Sequence, residues 1–295
     1  MTDPSYRLRQ PSRSEFHDLR GLRYHVRTWG PAGARPLVLL HGWMDVSASF
    51  QFLVDALRAP RRVYAPDWRG FGLTEVPGHD CYWFADYIAD LDALLDRLLP
   101  GEPVDLVAHS MGGNIACLYA GVRPGRVRRL VNLEGYGMRR ARPEQAPARY
   151  AQWLDQLREP PRMRDYASRE EVAARLMRNN PRLGAARARF LAEHWSRRRP
   201  DGRWELLGDP RHRIVNPTLY RVEEVLACWR AIEAPVLMLE AERTDQWHAF
   251  VDTAEYRDRL HAFRSLQRVD IEDAGHMLHH DQPERVARLI EDFLA

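Results

Sequence analysis

Ala108-His109-Ser110-Met111-Gly112-Gly113 stands where an apolar run, Val104 to Ala108, hands over to a helical pattern through Ile115, Leu118 and Tyr119. A chain that turns from strand to helix at a serine holds the hydroxyl clear of the sheet. The turn also brings backbones so close that the residues two before and two after must be small. Ala108 and Gly112 meet that demand. The usual pattern begins with Gly, and Ala at 108 departs from it by one methyl group. A serine between small residues also serves as a helix cap, so the meaning of Ser110 rests on its surroundings.

Working outward, Leu37 to Leu40 runs into His41-Gly42, Val63 to Ala65 into Pro66-Asp67, and Val127 to Leu133 into Glu134-Gly135. Short apolar runs that alternate with helical patterns are the mark of βαβ units and a parallel sheet. Between them Tyr87, Ile88, Leu91, Leu94, Leu95 and Leu98 recur at three- and four-residue spacing, which makes one apolar helix face. From about Arg139 to Ile232 the alternation stops, and Arg-, Ala- and Leu-rich helical stretches take over, with Trp153, Trp195, Trp204 and Trp229 among them. Those tryptophans read equally well as pocket lining or as packing. Strands resume at Val236 to Leu239 and Leu266 to Ile271, and Pro283 opens a closing amphipathic helix through Val286, Leu289, Ile290 and Phe293.

The 295 residues are 45% hydrophobic and 29% charged, the balance of a globular protein with ample core. No run of roughly 18 apolar residues is present, and Met1 to Gly30 is too polar for a secretory signal, so a cytoplasmic protein without membrane partners is expected. Cys81, Cys117 and Cys228 are too few and odd in number for a disulfide framework and read as reduced. The net charge is +3, yet all 44 basic residues are Arg, which reads as a GC-rich genome and not as an anion-binding surface. Acidic residues are interspersed, no basic run carries aromatic residues, and Arg197-Arg198-Arg199 reads as a solvated face; no nucleic-acid partner is expected.

Three further motifs fall in order around Ser110. His41-Gly42-Trp43 follows one strand, where the Trp43 N–H can join that of Met111 as an oxyanion hole. Asp67-Trp68-Arg69-Gly70-Phe71-Gly72 follows the next, and Ala274-Gly275-His276 follows the last. With these four motifs, residues from about 15 to 295 resemble the α/β-hydrolase superfamily, in particular its capped branch of epoxide hydrolases, haloalkane dehalogenases and many esterases. The resemblance implies an α/β fold with a mostly parallel eight-stranded sheet flanked by helices. It also implies a core of residues 1–138 and 233–295 and a helical cap, 139–232, over the carboxyl edge of the sheet, where open α/β sheets place ligands.

The nucleophile decides the chemistry. Dehalogenases and epoxide hydrolases attack saturated carbon with a carboxylate, whose ester product water can cleave. A serine would leave an ether that water does not cleave, so Ser110 points to acyl transfer at a carbonyl. His276 is the expected base, with His41 and His109 structural. The acid has two candidates. Asp245 lies near the usual position after the seventh strand, one residue late. Glu134, 24 residues after Ser110, resembles the Glu of many haloalkane dehalogenases, and a carboxylate in an apolar strand must find a partner. Glu134 is favoured; its alternative reading is a cap on the insert or a ligand of backbone amides. Asp67 and Arg69 read as structural. The run His279-His280-Asp281 lacks separated partner ligands, so no metal and no cofactor is expected. The expected function is cofactor-independent serine hydrolysis of a small or medium hydrophobic carboxylic ester. Thioesters, lactones, carbon–carbon hydrolysis and a non-catalytic ligand receptor remain open, as does the oligomeric state.

Overall fold

In the computed structural model, which describes residues 6–242, 248–251 and 253–295, the apolar runs become strands. The chain begins β1 (Arg13–Leu19), β2 (Leu22–Trp29), β3 (Pro36–Leu40), α1 (Gln51–Ala56), β4 (Arg62–Pro66), α2 (Phe84–Leu98), β5 (Val104–His109), α3 (Met111–Val122) and β6 (Val127–Leu133). It continues with α4 (Ala146–Arg158), α5 (Arg169–Asn179), α6 (Ala185–Trp195), β7 (Ser196–Arg198), β8 (Trp204–Leu206) and α7 (Val222–Arg230). It closes with β9 (Val236–Ala241), α8 (His248–Val251), α9 (Ala254–Leu260), β10 (Leu266–Ile271), α10 (Leu278–Asp281) and α11 (Pro283–Leu294).

Among these, eight strands make one sheet in the order β1-β2-β4-β3-β5-β6-β9-β10. Only β2 runs against the others, which bears out the mostly parallel eight-stranded α/β fold. Strands covered on both sides can be apolar throughout, and the two faces divide by residue parity. Val38, Leu40, Leu106, Ala108 and Leu130 pack with α2 and α3, while Leu37, Leu39, Val107, Val131 and Leu133 pack with α1 and α11. The helix spaced by Tyr87, Leu91, Leu94 and Leu95 forms as expected, and those four residues are buried.

The first two strands escaped the sequence reading. β1 is half exposed and carries Arg13, Glu15, His17 and Asp18, so its apolar signal is weak. What joins it to β2 is a two-residue turn, Arg20 and Gly21 at φ 50° and 76°, the geometry that matches the twist of a hairpin.

The stretch between β6 and β9 holds α4 to α7, but it also contains a feature the sequence reading lacked, the antiparallel ribbon β7–β8. Three residues a side carry too little periodicity to be recognised. Helices α5 and α6 bury Val172, Leu176, Ala188 and Leu191 around Phe52, so this segment is packed onto the sheet unit. Three of its tryptophans are used for packing: Trp204 joins the α5–α6 cluster, Trp229 stacks on Phe263 at 4.8 Å, and Trp195 donates from Nε1 to Ser49 Oγ at 3.0 Å. No helix among the described residues is long and apolar enough to cross a membrane.

Candidate active site

Ser110 sits at φ 52° and ψ −114°, in the left-handed region that a residue with a side chain occupies only under constraint. The constraint is visible. The Ser110 N–H donates to Leu133 O at 2.8 Å and its carbonyl accepts from Asn114 N at 3.0 Å, so both sides of the turn are tied. A Cβ on Gly112 would lie 2.3 Å from the Leu40 carbonyl oxygen, which excludes any side chain there. A Cβ on Gly42 would come within 3.2 Å of Ser110 Cβ, so the His41-Gly42-Trp43 turn lies directly against the serine. Met111 heads α3, where the first N–H groups have no partner within the helix and the helix dipole is positive.

His276 comes from the far end of the chain. Its Nε2 is 3.0 Å from Ser110 Oγ, and its Nδ1 is 2.6 Å from Glu134 Oε2. A carboxylate only accepts, so Nδ1 carries the hydrogen and Nε2 is left to accept from the serine hydroxyl. Glu134 is buried at the end of β6, at φ 58°. Its second oxygen accepts from the Ala241 N–H at 2.8 Å and the Tyr136 hydroxyl at 3.2 Å. Asn132 fixes the turn that follows, accepting from Gly135 N at 2.7 Å and donating to Gly135 O at 2.8 Å. Ser110, His276 and Glu134 are therefore brought together; Asp245 lies outside the described residues.

The histidine is held from behind. His109 Nε2 donates to the His276 carbonyl at 2.8 Å. Nothing in the sequence announces this contact, and the sequence reading gave His109 no task beyond packing. Asp281 accepts from Gly275 N at 2.9 Å and from the Asn180 side chain at 2.7 Å, and Arg187 donates to the His280 carbonyl at 2.8 Å. The run His279-His280-Asp281 consequently diverges: His280 donates to Ser49 O at 3.1 Å, while Asp281 serves the loop of His276.

The neighbouring loops are fixed as a polar scaffold. His41 donates from Nδ1 to Gly42 O at 2.7 Å and accepts at Nε2 from Trp68 N at 2.9 Å. Burial pushes its pKa down to about 4, so it stays neutral. Burial alone would raise the Asp67 carboxyl, but the hydrogen bond and charge of His25, nearby His41 and the Leu73 N–H outweigh it and hold it well below the usual carboxylate range. Arg69 grips Asp90 with two bonds of 2.5 and 2.6 Å. The large cleft between the Gly70–Val76 loop and residues 158–165, about 1250 Å³, does not include Ser110 or His276 in its lining.

Residues 35–283 match the sequence profile of the alpha/beta hydrolase fold. The chain belongs to that family. As a family member it is 29% identical over 293 residues to the serine hydrolase-like protein of Danio rerio, covering 94% of this chain and 85% of that one. Among solved structures it is similar to the thioesterase domain from the curacin biosynthetic pathway, with a TM-score of 0.85, 23% identity and coverage of 96% and 99%. It is also similar to the hypothetical protein PA1622 of Pseudomonas aeruginosa PAO1, with a TM-score of 0.83, 26% identity and coverage of 95% and 97%.

Proposed function

We propose that this alpha/beta hydrolase cleaves a small or medium hydrophobic carboxylic ester through an acyl-enzyme on Ser110. The observation that carries the reading is the linear relay from Glu134 to His276 to Ser110, at 2.6 and 3.0 Å. As Ser110 Oγ attacks the ester carbonyl, His276 Nε2 takes its proton, and Glu134 stabilises the imidazolium through Nδ1–H. The N–H groups of Trp43 and Met111 receive the developing oxyanion; one such donor is worth on the order of 10²–10³ in rate. His276 then protonates the departing alcohol. Water enters, loses a proton to the same nitrogen and releases the acid, restoring Ser110.

An apolar acyl or alcohol group is supported by Trp43 and Met138, which expose 51% and 45% of their surface on the segments adjoining Ser110 and Glu134. Residues 139–232 act in this reading as the cap that closes over the substrate. Trp43 supports that role, since its Nε1 reaches the His212 carbonyl of this segment at 3.4 Å.

The test is covalent labelling with a fluorophosphonate, followed by a panel of p-nitrophenyl esters, thioesters and lactones with Ser110→Ala as blank. A single adduct mapped to Ser110 with fastest turnover on apolar esters is the expected result. A folded protein that resists the label is a ligand receptor, and faster turnover of thioesters or lactones reassigns the substrate.

A further inference from the structure

Asp45, His109 and His279 belong to three segments remote in sequence: the turn after β3, the last residue of β5, and α10. The fold brings one donor atom of each within 4.8 Å of the other two. All three residues are buried, with exposures of 2%, 2% and 0%. Among the described residues, Asp45 Oδ2, His109 Nδ1 and both ring nitrogens of His279 find no hydrogen-bond partner in the protein. Buried polar atoms are nearly always satisfied, so a concentration of such atoms around one point calls for a ligand.

The form of each side chain says which ligand. His109 Nε2 donates to the His276 carbonyl, so that nitrogen holds the hydrogen and Nδ1 presents a lone pair. Metal-binding imidazoles are oriented in this way, by a second N–H bonded to a carbonyl. Asp45 is anchored likewise: its Oδ1 accepts from Val46 N at 2.7 Å and from the Ser49 hydroxyl, which leaves Oδ2 for the imidazoles. Two neutral imidazoles and one carboxylate suit a zinc-class ion with bonds of about 2.0–2.2 Å, a fourth position being left to water. The donor atoms need to draw together to reach that spacing. The sequence reading discounted His279 for want of separated partner ligands; Asp45 and His109 are those partners, in place of His280 and Asp281.

We propose that Asp45, His109 and His279 form a buried site for one divalent transition-metal ion of the zinc class. The ion ties together the segments that carry Trp43, Ser110 and His276. It touches no reacting atom, and its role is structural. The proposal stands on these three residues and is independent of what Ser110 acylates.

The untagged full-length protein is expressed in zinc-supplemented medium, desalted, and its metal content measured by plasma mass spectrometry. About one zinc per chain is expected, falling at least roughly tenfold in Asp45→Asn and in His279→Phe. Folding of both variants is checked by circular dichroism. Should neither fold, zinc-edge X-ray absorption of the wild type decides, with imidazole nitrogen and oxygen at about 2.0–2.2 Å expected. Folded wild type without zinc, folded variants that keep the full content, or a sulfur-containing shell each overturns the proposal. A high-resolution crystal structure of the zinc-grown protein with only water between the three side chains does so too.

Discussion

The turns after β5 and β6 are neighbours at one edge of the sheet, and each forces a residue with a side chain into the left-handed region, Ser110 at φ 52° and Glu134 at φ 58°. Steric and polar support are mixed differently in the two. Around Ser110 the support is steric: no side chain fits at Gly112 because the Leu40 carbonyl is 2.3 Å from where its Cβ would be. Around Glu134, side-chain hydrogen bonds involving Asn132, the Ala241 N–H and the Tyr136 hydroxyl are added to a close approach of Gly135, whose Cβ would lie 2.8 Å from Gly113 Cα. Close backbone approach writes a motif of small residues into the sequence. A hydrogen-bonded turn leaves one unremarkable residue at a time.

Five substitutions test that contrast. Ser110→Ala is expected to lower kcat by about 10⁶, the loss seen when a triad nucleophile is removed; near-normal turnover of purified protein would show that the elbow is only a cap. Glu134→Gln keeps the turn's shape but removes the charge beside His276, and a loss of about 10⁴ in kcat is expected. Asp245→Asn should change kcat far less, and the opposite ranking would move the acid to the stretch after β9. Gly112→Ala strains the steric turn: a lowered melting temperature together with a loss of about 10² in kcat is expected, because small displacements of a reacting group are costly. Tyr136→Phe removes one hydrogen bond from Glu134 while the Ala241 N–H remains, so kcat should fall by about 2–10-fold, the worth of a single bond. An effect as large as that of Gly112→Ala would mean that the polar turn tolerates no more loss than the steric one.

Legibility followed the same division. The five strands β3, β4, β5, β6 and β9 could be read because cover on both faces leaves a largely apolar run, and the edge strand β10 because Leu266, Val269 and Ile271 still mark it. The edge pair β1 and β2 could not, since β1 has only Phe16 and Leu19 as apolar residues and half faces solvent. The Ser110 and His276 candidates were legible from their flanking small residues. Glu134 and Asp245 could only be ranked, because what distinguishes Glu134 is its approach to a histidine 142 residues later. The same limit hid the contact of His109 with the His276 carbonyl and the meeting of Asp45 with His279. Pairings of single polar residues across the fold have no period and no spacing to detect.

Asp281 bonds the backbone beside His276 and, through its other oxygen, Asn180 at the end of α5, while Arg187 of α6 holds the neighbouring carbonyl. The inserted helices are thus part of the mounting of the imidazole. Exchanging this segment for that of a relative would also loosen His276 unless the graft kept an amide at 180 and a guanidinium at 187. A chimera that binds substrate yet turns it over slowly would be the signature of that lost mounting.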